Sequence, residues 1–433
     1  MAIWNIKKGR YLTNNDTLFE AVICANAGPQ VYIPGGNLNG GTDAFGRVRV
    51  SEPYTLFDSS FRYSDSERRW NTRTSGSGSI TYVPESGCLD IMVGSTSGDE
   101  VIRQTDRVFG YQPGKSLLIM NTFTFAEPKT NLRQRVGYFL KKNGIFLERD
   151  GEDIYIVKRS NSTGSIVETR IPQSQWNVNK LNGSGADGIT LDLTKSHIFW
   201  MDIEWLGVGS VRTGFVINGQ FIVCHIFHHA NTITGTYMTT ASLSCRYEIT
   251  NTGATSGSST MKQICSTVLS EGGYTQEGLS RSVSNPLTGR TLPKNQQDFP
   301  MVSIRLRSNR TDAVVVPRAT TLYGFQGTPY KYKIIKGATI TGGTWEIEDS
   351  ASSVEYNLTA DSALGGITLY EGIFKGQANF EPLNFRHYFD HSLQLTRDII
   401  DSDSAGDTFT IVLRCTSNND KAIAALNWQE RLG

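Results

Sequence analysis

The sequence predicts a mainly β protein made of a β-sandwich and a second β domain. Glycine supplies 43 of the 433 residues, whereas charged residues make up only 19% of the chain. This composition favours many short strands joined by tight turns over long amphipathic helices. Short apolar runs alternate with turn signals, of which the clearest are Asn143-Gly144, Asp150-Gly151 and Asn218-Gly219. Asn-Gly and Asp-Gly accept the positive φ angles of two-residue hairpin turns.

The first two turn dipeptides predict an antiparallel meander of three strands. Arg135-Val-Gly-Tyr-Phe-Leu leads into Asn143-Gly144, and Ile145-Phe-Leu-Glu-Arg leads into Asp150-Gly151. The third strand is the alternating run Asp153-Ile-Tyr-Ile-Val-Lys. Each turn dipeptide joins two apolar runs, which is the pattern of consecutive hairpins.

A further hairpin is predicted around Asn218-Gly219. It joins Gly214-Phe-Val-Ile to Gln220-Phe-Ile-Val-Cys-His, and apolar residues alternate on both sides of the turn. Together with the meander, this hairpin predicts a β-sandwich of lectin-like or jelly-roll type.

The length and the changes in composition predict four segments, because 433 residues exceed what one hydrophobic core usually serves. Four glycines in the eight residues from Gly35 mark a hinge, and Pro286, Pro293 and Pro300 mark a second link. The predicted segments are an N-terminal assembly arm with its glycine-rich hinge (1–42), the sandwich body (43–275), a connector (276–300) and a C-terminal β domain (301–433).

The charge balance argues against some classes of partner. Lys plus Arg number 42 and Asp plus Glu number 41, so no global field attracts nucleic acid. The opening MAIWNIKKGRY lacks the apolar core of a signal peptide, and no apolar run is long enough to cross a bilayer. We therefore expect folding in a cytoplasm, no membrane insertion and no nucleic-acid partner.

The six cysteines lie far apart without CxxC spacing, and several sit in apolar runs. Reduced, buried thiols are the expected state, with three disulfides as the alternative.

One segment carries a family resemblance. Asp43-Ala-Phe-Gly-Arg-Val-Arg-Val-Ser resembles the DAFGRLRVS-type signature of virion structural proteins from tailed phages, many of them marine or cyanobacterial, with Val48 in place of the usual Leu. The stretches from Trp205 and from Arg246-Tyr-Glu-Ile-Thr-Asn resemble the same family, so the resemblance covers about residues 43–275.

The resemblance implies a structural component of a virion, located in the tail, baseplate or fibre or decorating the capsid surface. Its expected partners are other virion structural proteins and further copies of itself. Because closed symmetric assemblies bury matched surfaces, we expect a trimer or a higher ring.

The signature itself has a predicted structural role. A turn at Gly46 would bring the Asp43 carboxylate to the Arg47 guanidinium and so fix the entry to the first sandwich strand. Phe45 and Arg49 complete the predicted assembly motif.

Three histidines, His225, His228 and His229, are the best metal candidates in the sequence. Neighbouring residues of a strand point to opposite faces, so His228 and His229 do not converge, and no fourth ligand is evident. We therefore predict no metal, and no cofactor is implied elsewhere.

Asp202 and Glu204 alternate with apolar residues in Trp200-Met-Asp-Ile-Glu-Trp, which places both carboxylates on one predicted face. With Trp200 and Trp205 they form a candidate glycan face, although core packing of the tryptophans is the alternative. A glycan-binding adhesin for host attachment is accordingly the second functional hypothesis.

A polysaccharide hydrolase using Asp202 and Glu204 is the third hypothesis. The sequence contains no nucleophile elbow of the Gly-x-Ser-x-Gly kind between a strand and a helix. The expectation is a protein that is not an enzyme, with no catalytic residues.

Overall fold

The structure is a computed structural model. It describes the backbone of residues 8–12, 18–22 and 30–31, and it describes residues 52–431 except 67, 186–187, 275–277, 294–296, 311–312, 379–381, 386–388, 390–392, 396–399, 401–406 and 417–418. The chain separates into two compact units, Met1–Pro53 and Tyr54–Gly433.

The first unit contains one small antiparallel sheet. Its strands, in the order β1-β2-β3, are β1 (Lys8–Leu12), β2 (Leu18–Val22) and β3 (Gln30–Val31). The predicted assembly motif of Asp43, Phe45, Gly46, Arg47 and Arg49 lies outside the described residues, so it stays a prediction.

The second unit begins with a β-sandwich of two antiparallel sheets. Short 3-10 turns occur at Pro84–Ser86 and Gln173–Gln175. The strands of this part are β4 (Pro53–Ser60), β5 (Trp70–Ser75), β6 (Ser79–Val83), β7 (Cys88–Val93), β8 (Glu100–Thr105), β9 (Ser116–Thr124), β10 (Leu132–Phe139), β11 (Gly144–Asp150), β12 (Asp153–Ser160), β13 (Val167–Pro172), β14 (His197–Ile203), β15 (Val211–Ile217), β16 (Gln220–Phe227), β17 (Cys245–Asn251) and β18 (Ser259–Glu271).

Seven strands form the first sheet in the order β13-β12-β11-β10-β17-β8-β5. The second sheet runs β16-β15-β14-β9-β18-β7-β6, and β4 also pairs with β18. One hydrophobic core lies between the sheets: Val136 and Leu147 of the first sheet belong to the same buried cluster as Ile119 and Phe199 of the second. The prediction of a mainly β protein with a β-sandwich body is confirmed.

The hairpin turns differ in how closely they follow the sequence prediction. The predicted Asn218-Gly219 turn is confirmed, since it joins β15 to β16 with φ angles of 53° and 76°. Between β11 and β12 the two-residue loop is Gly151-Glu152, one residue later than the predicted Asp150-Gly151 turn, because Asp150 already pairs with Asp153. Gly151 has a φ of 61°.

The connection at Asn143-Gly144 differs from the predicted two-residue turn. Gly144 already pairs with Phe139, which leaves a four-residue loop, Leu140 to Asn143. The Asn143 side chain is held instead by Thr239, whose Oγ1 accepts from Nδ2 at 2.7 Å. This contact is distant in sequence, which is why the dipeptide alone did not reveal it.

The rest of the second unit forms a second β region with its own core. A 3-10 turn lies at Ser308–Arg310. Its strands are β19 (Leu279–Ser284), β20 (Arg290–Thr291), β21 (Phe299–Leu306), β22 (Val314–Gly324), β23 (Pro329–Lys336), β24 (Thr339–Thr341), β25 (Glu346–Ile347), β26 (Val354–Asn357), β27 (Ser362–Leu364), β28 (Ile367–Lys375), β29 (Leu383–Asn384), β30 (Thr408–Cys415) and β31 (Lys421–Arg431).

These strands build a five-stranded sheet, β19-β31-β22-β29 with β20 beside β31, and a six-stranded sheet, β25-β26-β21-β30-β23-β28. β24 and β27 pair separately. Met301, Ile334, Leu413 and Trp428 lie in the shared core. The segment 276–300, predicted as a connector, contributes β19 and β20 as strands that pair with β31. Its prolines lie outside β19 and β20, so they do not prevent this pairing.

The sandwich and the second β region are joined by polar contacts. Lys336 Nζ lies 2.5 Å from Asp106 Oδ2 and 3.0 Å from Asp407 Oδ2. The Val108 amide donates to Gln394 Oε1 at 2.9 Å. Among the thiols that the structure describes, Cys88 and Cys245 are buried, and burial raises the pKa of both. No helix in the described ranges combines the length and hydropathy that a membrane span requires.

Candidate functional site

The predicted glycan face is not an open surface. Trp200 is 3% exposed and packs edge-on against Phe221, with ring centroids 5.4 Å apart. Trp205 is half-buried and donates from Nε1 to the Met238 carbonyl at 3.3 Å. The ring of Trp200 therefore has no free side for a sugar to stack on.

The two carboxylates of that face are also separated by their surroundings. Asp202 is buried and accepts a hydrogen bond from Arg212 Nε at 3.0 Å. Glu204 follows the end of β14, and its side chain is exposed. The glycan face of Trp200, Asp202, Glu204 and Trp205 stays a prediction, and a different surface has the stronger geometry.

The histidines occupy separate environments. His229 is 1% exposed, its ring stacks on Tyr237 at 3.9 Å, and its Nδ1 lies 2.7 Å from the Gly209 carbonyl. Its Nε2 lies 3.1 Å from Lys158 Nζ. Burial lowers the pKa of His229 to about 4, and burial lowers that of His225 likewise to about 4. Neutral, structural rings result, and no group of three potential metal ligands occurs in the part of the chain that the structure describes.

A groove of about 220 Å³ lies on the outer face of the seven-stranded sheet, and we call it the charged groove. It is lined by side chains from β5, β8, β10, β12, β13 and β17 and from the loops before β11 and β13. The lining residues are Arg73, Glu100, Ile102, Arg135, Lys141, Arg159, Ile166, Glu168, Arg246 and Glu248.

The register of the strands sets the charges side by side. Arg135 of β10 is paired with Glu148 of β11 on one side and with Glu248 of β17 on the other. Residues paired across strands share a face of the sheet, so the three side chains form one row. Arg246 lies two residues before Glu248 and therefore on the same face.

An apolar floor lies beneath these charges. Phe139, Phe146 and Val157 form a buried cluster, and the two phenylalanine rings are 4.4 Å apart. Gly137 and Gly144 leave room for these rings: a Cβ on Gly137 would lie 2.7 Å from Phe146 Cβ, and one on Gly144 would lie 2.0 Å from Phe139 Cβ.

Three guanidinium groups converge over this floor. Arg159 lies 4.9 Å from the Phe146 ring and 5.5 Å from the Phe139 ring. Arg135 lies 5.2 Å from the Phe146 ring, and Arg246 lies 5.2 Å from the Phe139 ring. Because guanidinium groups stack favourably on aromatic faces, the floor fixes the position of each cation.

Buried carboxylates complete the positioning. Glu148 is fully buried and accepts from Arg135 Nε at 2.6 Å, while Glu248 accepts from Arg135 Nη1 at 3.1 Å. Burial alone would raise the pKa of Glu248, but the charges of Arg246 and Arg135 outweigh burial and lower the pKa to about 2. Burial lowers the pKa of Arg135, and Glu248 and Glu148 reverse that effect, so its pKa is raised overall. Glu248 and Arg135 are therefore ionised at neutral pH.

The open side of the groove carries a second layer of charge. Glu168 on the edge strand β13 bridges two cations: its Oε1 lies 2.6 Å from Arg159 Nη2, and its Oε2 lies 3.8 Å from Arg135 Nη2. Arg73 pairs with Glu100 at 2.7 Å, and the side chain of Lys141 is exposed. Burial lowers the pKa of Arg159, and repulsion from Arg135 lowers it further.

Sequence reasoning did not find the charged groove. A usable signal was present, since Arg133-x-Arg135, Glu148-x-Asp150 and Arg246-x-Glu248 each place two charges on one face of a strand. The charges of β17 reach those of β10 and β11 only through the β10–β17 pairing, which joins residues more than a hundred positions apart.

Comparisons with known proteins return structures of the same general architecture at low similarity. No protein-family model matches the chain, and no curated protein matches it. A glycoside hydrolase of family 16 from Bacteroides ovatus is 10% identical, with a TM-score of 0.35 over 49% of this chain and 99% of the other.

Two further structures are a carbohydrate recognition domain and a CBM2 module. The carbohydrate recognition domain of Emp47p is 10% identical, with a TM-score of 0.31 over 48% of this chain and 90% of the other. The CBM2 module of the evolved Dit protein of Lactobacillus casei BL23 phage J-1 is 7% identical, with a TM-score of 0.32 over 53% of this chain and 100% of the other.

These comparisons correct one expectation. The sequence predicted a protein that is not an enzyme, and glycoside hydrolases are among the similar structures. That prediction is therefore wrong as it was made, because hydrolases as well as carbohydrate-binding proteins occur among these structures.

Proposed function

We propose that the chain is a virion structural protein of a tailed phage and that its sandwich binds a saccharide in the charged groove. The observation that carries the binding role is the convergence of eight charged side chains on one open groove of about 220 Å³. The virion role is supported by the resemblance of residues 43–275 to phage structural proteins.

The energetics of the groove support a binding role. Stability alone does not require buried charges, because well-packed apolar residues of similar volume are often equally stabilising. Here the outer face of the sheet holds Arg135, Arg246, Glu148 and Glu248 almost fully buried. A set of fixed donors and acceptors at an open groove is what recognition of a polar ligand requires.

Saccharide chemistry fits these groups. Sugar hydroxyls both donate and accept hydrogen bonds, so arginines and carboxylates at fixed positions can satisfy a ring from several sides. The groove is smaller than the roughly 300–1,000 Å³ typical of drug-sized ligand pockets. The groove therefore has room for only a small part of a ligand. A surface polysaccharide fits this arrangement, because the rest of its chain would lie outside the groove.

A glycan array tests the binding role. The full chain should bind polysaccharides of the host surface on the array. Arg135→Met should abolish this binding, because it removes the donor between Glu148 and Glu248. Trp200→Phe serves as the control on the other sheet and should leave retention unchanged. Binding that survives Arg135→Met in a folded protein would overturn this assignment of the site.

The virion role needs its own measurement. Mass spectrometry of purified particles should find at least three copies of the chain per particle, as a trimer or a higher ring requires. Absence from particles, together with a monodisperse monomer in solution, would contradict the virion role and leave the glycan array as the test of binding.

A further inference from the structure

We infer that the charged groove selects an anionic saccharide, one whose sugar bears a carboxylate or a sulfate, with Glu168 occupying the position of the ligand's anionic group in the free protein. This inference rests on the proposed saccharide-binding function and adds the ligand class to it.

The charge inventory is the first step. The lining contains five cationic side chains and three carboxylates, an excess of two positive charges. Extending the inventory to the direct ion-pair partners of the lining residues adds Arg133 and Glu148, and the excess remains two. The full chain has a net charge of only +1, so the groove is a local concentration of positive charge.

The sharing of carboxylates is the second step. Glu248 accepts from both Arg135 and Arg246, and Glu148 accepts from both Arg135 and Arg170. Two buried carboxylates therefore orient Arg135 and Arg246, both of which line the groove. Arginines with their guanidinium planes held in place are suited to two-point recognition of a carboxylate or a sulfate, and the cost of ordering them has been met in folding.

Glu168 is the third step. Its carboxylate lies between Arg159 and Arg135 at the open side of the groove, and its side chain is 25% exposed, whereas the deeper Glu148 is fully buried. It belongs to β13, the edge strand of the sheet. A carboxylate from a ligand would meet the same two guanidinium groups by displacing this side chain towards solvent.

The carboxylate of Glu168 competes with an anionic ligand, whereas the positive charge of the groove attracts it. Two substitutions that remove these charges should therefore have opposite effects on binding. Glu168→Gln removes the competing charge but keeps an oxygen that accepts from Arg159, so binding of an anionic saccharide should tighten. Lys141→Ala removes a cation from the rim, so binding should weaken. Lys142→Ala is the matched control, because Lys142 is also exposed and does not line the groove.

The experiment titrates the full chain with dextran, carboxymethyl-dextran and dextran sulfate, which share one backbone and differ in charge. Binding to at least one charged dextran, with none to dextran, is expected. Glu168→Gln should tighten it about 3- to 10-fold, Lys141→Ala should weaken it about 3- to 10-fold, and Lys142→Ala should change it less than twofold. Raising the salt from 50 to 200 mM should weaken binding because the rim charges are screened.

The two charged dextrans identify the anionic group, since a preference for one assigns a carboxylate or a sulfate. Binding to neither charged dextran, binding to dextran alone, or weaker binding by Glu168→Gln would overturn the inference. So would tighter binding of a single-stranded oligonucleotide than of either charged dextran. If the chain then binds neutral polysaccharides on the glycan array, the proposed saccharide-binding function still stands. If it binds nothing on the array, both that function and the inference of an anionic ligand are wrong.

Discussion

Arg135 and Glu148 face each other across β10 and β11 as a register pair, with Nε and Oε2 2.6 Å apart and both side chains almost fully buried. Arg135 lies over the Phe146 ring as well, so the guanidinium is fixed by a charge and by an aromatic face. Arg135 lines the charged groove and Glu148 holds it in place, so removal of this pair should affect stability as well as binding.

Arg135→Met should lower the free energy of unfolding by about 3–5 kcal/mol, because it leaves the carboxylates of Glu148 and Glu248 buried with a partner missing. Urea unfolding at pH 7 measures the change. The control is Lys262→Ala, which breaks a pair with Asp90 whose two side chains are 42% and 30% exposed. Exposed pairs contribute about 0–1 kcal/mol. Equal losses in the two variants would contradict the buried network.

Acid should destabilise the sandwich through His229. The pKa of this ring is about 4 in the folded chain and about 6.5 when exposed, so the unfolded state binds the proton more readily. The contribution of the neutral His229 ring to folding stability is complete above pH 6.5, and it is lost as the pH falls from 6.5 towards 4.

Unfolding midpoints measured between pH 4 and pH 7 should therefore fall with pH, and His229→Gln should make this slope shallower. The ring resonances of His229 should report a neutral imidazole at pH 5.5 by NMR. A protonated ring at that pH would show that water reaches the site beside Tyr237 and Lys158.

The success of sequence reasoning depended on whether a feature was local. The Asn218-Gly219 turn needs only its own two residues to adopt positive φ, and it was predicted correctly. Asn143-Gly144 has the same chemistry, yet Asn143 bonds to Thr239, almost a hundred residues away, and the turn became a four-residue loop. Long-range contacts override local preference.

The candidate site shows the same limit. Arg135, Glu148 and Glu248 lie on three strands, and only the pairing of β10 with β11 and β17 aligns them. Their alternation with apolar residues was visible, but it gave no sign that these three charged side chains are themselves buried. Trp200 and Asp202 were predicted to form part of a glycan face because an aromatic residue and an acid lie close together in the sequence. In the structure the Trp200 ring packs against Phe221, and the Asp202 carboxylate accepts from Arg212.

Gly219→Ala should destabilise the β15–β16 hairpin by about 1–2 kcal/mol, since residue 219 has a φ of 76° and an L side chain is strained there. No atom lies within 4 Å of the position of the added Cβ, so the effect comes from the backbone alone. Gly235→Ala is the matched control, with equally open space and no positive φ. Thermal unfolding should show no loss for this control, and similar losses in the two variants would contradict the turn geometry.

Lys336 should couple the sandwich to the second β region. Burial alone would lower its pKa, but Asp106 and Asp407 raise it overall, so the ammonium group stays charged between two carboxylates. Lys336→Met leaves both acids without this partner and should cost about 3–5 kcal/mol. Since Asp106 belongs to the sandwich and Lys336 to β23, the loss should fall on the contact between the two regions.

Calorimetry of Lys336→Met should then resolve two unfolding transitions, whereas the native chain should show one, because each region keeps its own hydrophobic core. Lys331→Met on the same strand is the control: it breaks a pair with Glu371 whose side chains are 37% and 51% exposed, and it should leave a single transition. A single transition in Lys336→Met, shifted no further than in Lys331→Met, would mean that Val108 and Gln394 hold the two regions together without this lysine.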